Sequence, residues 1–156
     1  MKRVFGLICM LMLSASLFAD MTREELQRMY LAYFRGQGIS AQVDSDGDIR
    51  FEYETERFRS MTYYIMVDDE DQQFFRIAHF GGYSLDTARE RRQGAWAASE
   101  ATRRAFVAKL YINGNGDNII VSAETFLVSP RDFEAVFPKL MRGIEQAMLE
   151  FLNNMD

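Results

Sequence analysis

The apolar positions after residue 20 recur every three or four residues, which is the spacing of one face of a helix. Thr22 and Glu25 stand at the start of this segment with the spacing of a capping box, and Gly36 and Gly38 follow it as helix terminators. The pattern therefore predicts a first helix from about residue 22 to residue 35.

The next part of the chain changes to a period of two, which is typical of half-buried strands. Ile49, Phe51 and Tyr53 alternate with charged residues, and acidic turns at 44–48 and 68–71 separate the apolar segments. Four strands are predicted, at residues 39–43, 49–54, 61–67 and 73–80. Their short connections favour an antiparallel meander.

A second helix and a hairpin follow the meander. Many helix-forming residues and no proline predict a helix from residue 86 to about 105. Its predicted contact stripe is weak and consists of Ala95, Trp96, Ser99, Thr102 and Phe106. Residues 107–112 and 118–128 predict a hairpin, because the turn between them contains two Asn-Gly pairs.

The last helix has the clearest start signals. Ser129 is a good N-cap, Pro130 suits the first helical position, and Val128 is placed to pack on Phe133 as a hydrophobic staple. Pro138 predicts a kink or an interruption, because proline removes a backbone donor and disfavours helical geometry at the preceding residue. An apolar stripe then continues to the end of the chain.

The order of these elements predicts an α+β fold. An antiparallel sheet, made of the meander and the hairpin, is flanked by N-terminal, middle and C-terminal helices. The chain shows no internal repeat and no low-complexity run that would mark a linker. The expected organisation is a signal peptide at residues 1–19 and a single domain at residues 20–156.

Residues 1–19 have the layout of a secretory signal peptide. Lys2 and Arg3 form a basic n-region, an apolar stretch follows, and small residues precede a cleavage position after Ala19, with Ser16 as the alternative. The apolar run is shorter than the ~20 residues that span a bilayer, which favours cleavage over an uncleaved anchor. Cys9 is interpreted as part of this leader and not as a lipid attachment site. The mature chain is therefore expected in the periplasm or outside the cell, without disulfides or a transmembrane span.

The charge of the chain limits its partners. The formal net charge is -5, and the leader carries basic but no acidic residues, so the mature chain is more acidic still. Nucleic acid is excluded as the expected partner, because a nucleic-acid-binding domain presents excess positive charge.

Candidate reactive residues are few. His79 is the only histidine and lies in an apolar strand without a nucleophile motif, so a structural or edge role is favoured over catalysis. The acidic turn 44–48 is interpreted as a hairpin turn, because Ile49 and Thr55 stand where a calcium-binding EF-hand requires glycine and glutamate. No catalytic residue, metal or cofactor is predicted. A small-molecule carrier with an aromatic-lined cleft and a carboxylate-dependent hydrolase stay open as alternatives.

Positive charge is concentrated on the second helix, at Arg89, Arg91, Arg92, Arg103 and Arg104, and the first three of these are the candidate partner-binding residues. One interpretation is an ordinary solvated helix face, and the other is a docking surface. As a hypothesis, these arginines combine with exposed sheet aromatics, Tyr63 or Tyr64, to bind a protein or peptide partner or a second copy of the chain. Aromatic and arginine side chains supply large contact area and directed charge at interfaces.

Three stretches of the chain resemble the YbjN family, also labelled bacterial sensory transduction regulators. The resemblance lies in an acidic turn with its strand, an aromatic strand, and the entry to the last helix: Asp46, Gly47, Asp48, Ile49 and Phe51; Asp71, Phe74, Phe75, Arg76 and Ile77; Glu124, Phe126, Leu127, Ser129, Asp132 and Phe133. The resemblance implies a fold similar to type III secretion chaperones and a non-enzymatic domain that binds a polypeptide or modulates a partner, with dimerisation as an option. The export signal departs from those chaperones, which act in the cytoplasm.

Overall fold

The computed structural model describes residues 21–68 and 70–156, and these residues form three α-helices and a six-stranded sheet. In chain order the elements are α1 (Arg23–Gly36), β1 (Ala41–Val43), β2 (Ile49–Tyr53), β3 (Met61–Met66), β4 (Phe74–Ser84), α2 (Ala88–Arg104), β5 (Ala108–Ile112), β6 (Asn118–Phe126) and α3 (Phe133–Met155). The predicted α+β class is confirmed. The predicted signal peptide, with Cys9, lies outside the described residues.

The sheet is antiparallel throughout, with the strand order β1-β2-β3-β4-β6-β5. The first four strands form the predicted meander, and β5 and β6 form the predicted hairpin. β6 pairs with β4, so α2 carries the chain across to β5 at the far edge. β4 is longer than predicted, because it continues past Gly81, with an irregularity in its pairing to β6 between Phe80 and Ser84.

The three helices cover one face of the sheet, and every second residue along the strands points towards them. Phe51, Tyr63, Ile65, Phe75 and Ile77 are fully buried on this face. The alternate positions, such as Tyr64 and Arg76, belong to the opposite face, where the register pairs Tyr64 with Ala78. The result is a two-layer domain with one open sheet face.

An interior aromatic cluster joins α1 and α3 to the sheet. Phe34 stacks on Phe51 at 4.7 Å between ring centroids, and Tyr30 meets Phe133 edge to face at 4.7 Å. Phe137 contacts Phe34 at 5.2 Å and Phe51 at 5.6 Å. Because each ring touches several others, the cluster fixes how the first and last helices sit on the sheet.

The predicted contact stripe of α2 is wrong. The buried face of this helix consists of Gly94, Ala97, Ala98 and Ala101, whereas Trp96 is 55% exposed. The small side chains let α2 approach its neighbours closely, and an added methyl group at Gly94 would lie only 2.7 Å from Leu85 Cδ2. Close packing therefore selects the small residues for the interior, and the larger ones face outwards.

The start of α3 differs from the prediction in two ways. Val128 is 79% exposed and does not staple onto buried Phe133, because Leu127 takes the buried position instead. The helix also runs from Phe133 to Met155 without interruption at Pro138. Buried Phe137 and Leu140, on either side of the proline, hold both parts against the same core. The Ser129 backbone N–H donates to Asp132 at 2.9 Å, at the 3-10 turn Pro130–Asp132.

Both edges of the sheet are protected against further strand pairing. On the edge strand β5, the backbone N–H and carbonyl of Leu110 point outwards. The Thr102 hydroxyl of α2 accepts a hydrogen bond from the Leu110 N–H at 2.8 Å and donates one to the Leu110 carbonyl at 3.2 Å. The other edge strand, β1, is only three residues long. Short and covered edges discourage strand addition.

Candidate binding surface

Tyr63, predicted as an exposed contact residue, is fully buried. It shares the strand phase of Ile65, and its ring stacks on Phe51 at 5.6 Å. Burial raises the pKa of the Tyr63 phenol to about 12. The prediction of an exposed Tyr63 is wrong, because residues 63 and 64 point to opposite faces of the sheet and only one of them can face solvent.

Tyr64 lies on the open face of the sheet and is partly exposed. Its ring meets Phe80 of the neighbouring strand at 5.4 Å, and Phe80 is itself exposed. Tyr64 is thus part of an accessible aromatic pair, as expected of a contact residue.

The three arginines lie at the start of α2 and are exposed. Arg91 is engaged locally, since its Nε donates to the Leu85 carbonyl at 3.2 Å and its Nη2 to the Asp86 carbonyl at 3.0 Å. Arg89 and Arg92 belong to the helical layer, whereas Tyr64 points away from it. The structure does not bring the arginines and Tyr64 together, and binding at either place stays a prediction.

His79 and the acidic turn are engaged in structural contacts. His79 Nδ1 donates to the Thr62 carbonyl at 2.7 Å, and its ring packs 5.3 Å from Tyr63. Asp44 accepts from the backbone N–H of Asp46 and of Asp48, both at 3.0 Å, which is the bonding of a hairpin turn. Across residues 21–68 and 70–156 no cluster of three or more histidine, cysteine or acidic side chains is arranged to hold a metal ion.

A surface that the sequence did not predict lies between α2 and β5. Phe106 is completely exposed there, and Val107 is partly exposed. Ala105, Phe106 and Val107 separate two open hollows and line both of them. We call these three residues the Phe106 ridge.

The ridge is held in place by its neighbours. The Ala105 N–H donates to the Ala101 carbonyl at 2.9 Å, which ties the ridge to the last turn of α2. Val107 lies directly over Gly143 of α3, where an added Cβ would come within 2.7 Å of Val107 Cγ2. Gly143 thus permits an approach that a larger residue would obstruct.

The helix-side hollow has a volume of about 460 Å³ and lies between α2 and α3. Small side chains, including Ala101 and Ala147, line its apolar part. Arg104, Lys139 and Arg142 supply positive charge, and Arg104 is paired with Glu150. Lys139 and Arg142 have no carboxylate within ion-pair distance in the described part of the chain.

The sheet-side hollow has a volume of about 410 Å³. Phe74 and Phe126 line it, with their rings 5.5 Å apart, and Phe126 is 71% exposed. Lys109 donates to Glu124 at 2.5 Å, and this hydrogen bond holds the pKa of Glu124 below its ordinary value. The charges of this hollow are therefore paired already.

One sequence signal for this surface was present. Ile120 and Phe126 occupy the phase of β6 that also carries Ser122 and Glu124, opposite to the phase of the core residues Val121 and Ala123. An aromatic residue in the outward phase indicates an exposed apolar site. Phe106 had no such signal, because the period of α2 alone placed it on the predicted contact stripe.

The open-faced, two-layer α+β architecture is that of known solved structures. YbjN from E. coli, described as a "putative transcription regulator", is 11% identical with a TM-score of 0.57, and the match covers 81% of this chain and 88% of that one. An uncharacterised protein from Methanothermobacter thermautotrophicus is 17% identical with a TM-score of 0.50, covering 84% and 99%. The chain thus has a YbjN-like fold, and the resemblance is confirmed at that level.

Other comparisons add little. No family model and no curated protein sequence matches the chain. Within the described ranges, none of the helices has the length and apolar character needed to cross a membrane.

Proposed function

We propose that this protein is a non-enzymatic, exported binding or regulatory module that recognises a polypeptide partner at the Phe106 ridge. The observation that carries the proposal is the complete exposure of Phe106 between two hollows. An exposed phenylalanine forgoes about 1.5–3 kcal/mol of burial free energy, which association with a partner would recover. Aromatic residues are enriched at protein interfaces for this reason.

The protected sheet edges support recognition through side chains. A partner that added a strand to β5 would need the outward backbone groups of Leu110, and Thr102 occupies both of them. The Phe106 ridge and its hollows, by contrast, are open. A partner segment is therefore expected to lie across the ridge and not to extend the sheet.

Export and the regulatory role rest on separate support. The leader at residues 1–19 supports a periplasmic or secreted location. The fold shared with a structure described as a "putative transcription regulator" supports a non-enzymatic role, while the net charge of -5 disfavours direct contact with nucleic acid. Regulation through a protein partner is consistent with both.

The two alternative functions have less support. A carrier would need the sheet aromatics to line a cleft, but Phe34, Phe51 and Phe137 pack against one another and fill the space between the layers. A carboxylate-dependent hydrolase would need two converging free acids. Glu124, near the sheet-side hollow, is already bound to Lys109.

Site-specific crosslinking in the producing cells would test the proposal. The photoreactive analogue p-benzoylphenylalanine is introduced at Phe106, and in a matched variant at Trp96, which is exposed but does not line either hollow. We expect a discrete protein adduct from position 106 and none of the same mass from position 96. An adduct of twice the mature mass would identify a second copy as the partner. Identical adducts from both positions, or none from position 106, would contradict the proposal.

A further inference from the structure

We propose that the helix-side hollow binds an acidic peptide segment with a bulky apolar anchor. This inference rests on the proposed function and names the chemistry of its partner. The hollow combines an apolar lining, an exposed aromatic ridge on one side and unpaired positive charge on the other. Each of these three features selects a different property of the occupant.

The apolar part selects the anchor. Ala101 and Ala147 line the hollow with methyl groups, Gly143 lines it with backbone alone, and Val107 and Phe106 form its raised edge. Small residues leave room that a leucine or phenylalanine of a partner can fill, with Phe106 packing along its side. Burying one such side chain supplies much of the affinity of a short peptide.

The charges select acidic residues next to that anchor. Lys139 and Arg142 are three residues apart on α3, so they lie on the same side of the helix. Both are exposed, and neither has an ion-pair partner in the described residues. In a chain of net charge -5, two unpaired cations beside an apolar hollow form a local positive site. Carboxylates of a partner complement it.

A comparison with the sheet-side hollow shows that unpaired positive charge is specific to the helix-side hollow. Its lysine, Lys109, is bound to Glu124 of the same chain, and Arg76 lies 3.4 Å from the same carboxylate. The two charged side chains that line that hollow are therefore paired with each other. Although the two hollows share the Phe106 ridge, only the helix-side one discriminates in favour of an acidic ligand.

A peptide fits these observations better than an anionic membrane or a second copy. The site is a concave hollow, and the net negative charge of the chain opposes approach to an anionic lipid surface. Two copies that met through the same hollow about a twofold axis would bring Lys139 and Arg142 of both together, and like charges repel.

Selection of peptides from a random phage-displayed library on the mature protein would test the inference. The selected peptides are then synthesised and titrated against Lys139→Glu/Arg142→Glu and against Arg59→Glu/Arg131→Glu. Both double variants change the net charge by the same amount, but Arg59 and Arg131 are exposed residues that do not line the hollow. Thermal unfolding checks that each variant is folded.

We expect acidic residues beside a large apolar one in the selected peptides. Charge reversal at Lys139 and Arg142 should weaken their binding by about tenfold or more, while reversal at Arg59 and Arg131 changes it less than about twofold. Peptides without acidic enrichment, or peptides whose affinity is unchanged in the Lys139→Glu/Arg142→Glu variant, would overturn the inference.

The proposed function fails in a different way. Peptides that depend on Phe106 but not on Lys139 and Arg142 would leave the Phe106 ridge as the binding site and remove only the acidic ligand. Peptides unaffected by Phe106→Ser would remove the ridge itself. A further outcome is that the protein floats with phosphatidylglycerol vesicles through Lys139 and Arg142 while the selected peptides show no acidic enrichment. That result would overturn the acidic peptide as the proposed ligand and indicate an anionic membrane instead.

Discussion

The interior aromatic cluster and the Phe106 ridge use the same kind of side chain for opposite purposes. Phe137 contacts four aromatic rings, those of Tyr33, Phe34, Phe51 and Tyr53, at 5.2–5.7 Å. Phe106 is completely exposed at the end of α2. The difference teaches that hydrophobicity alone does not separate the residues that stabilise the fold from those that are available to a partner. The two groups are distinguished by the strand face on which a residue lies and by its position in a loop.

The largest expected effect in this comparison comes from the interior. Phe137→Ala should lower the free energy of unfolding by about 3–5 kcal/mol, because it leaves a cavity among rings that cannot close together. Chemical denaturation at constant m-value measures the change. The matched variant is Phe126→Ala, whose ring is 71% exposed and should cost about 1 kcal/mol or less. Equal losses would contradict the division into interior and surface aromatics.

Two helical glycines, Gly94 and Gly143, allow the same comparison with a smaller expected effect. Gly94→Ala and Gly143→Ala gain the same helix propensity, about 1 kcal/mol, and both new methyl groups come within 2.7 Å of a side chain. At Gly94 the neighbour is fully buried Leu85, whereas at Gly143 it is Val107, which can move outwards. Overpacking costs about 1–3 kcal/mol in a closed core. We expect Gly94→Ala to be destabilised and Gly143→Ala to be near neutral in the same denaturation assay.

A neutral Gly94→Ala would show that Leu85 has room to yield. Gly143→Ala carries a second readout, because it displaces Val107 and with it the Phe106 ridge. Its affinity for any peptide that binds the ridge should fall although its stability does not.

The sequence predicted the fold well where one local signal determined the outcome. The Thr22 capping box, the alternation of β2 and the Asn-Gly turn of the hairpin are all confirmed. The contact stripe of α2 was not predictable in the same way. Its buried face is chosen by the space that α3 and β5 leave, and only small residues fit that space.

The candidate surface was predictable only in part. Tyr64 follows from strand phase, whereas the Phe106 ridge depends on the contact between Val107 and Gly143, residues 36 positions apart in the sequence. The hollows depend in turn on how two helices and a strand meet. No periodicity within one element contains that information.

Acid titration should reveal a modest contribution of the Glu124 carboxylate, at the sheet-side hollow, to the free energy of unfolding. The hydrogen bond from Lys109 lowers the pKa of Glu124, so the contribution of this carboxylate is present above its ordinary pKa of 4.5 and is lost as the pH falls through the lowered value. Glu124→Gln should therefore cost up to about 1 kcal/mol at pH 7 and little at the acid end. Unfolding free energies of both proteins at a series of pH values test this. A constant difference between them would contradict the assignment.

The smallest expected effect on stability belongs to Phe106. Because the side chain is completely exposed, Phe106→Ser removes no buried apolar area and should change the free energy of unfolding by less than about 0.5 kcal/mol. The same substitution should abolish the peptide binding assigned to the ridge. A destabilisation as large as that of a core residue would mean that Phe106 packs within the free protein. In that case the ring would serve the fold, and the contrast between the two aromatic groups would disappear.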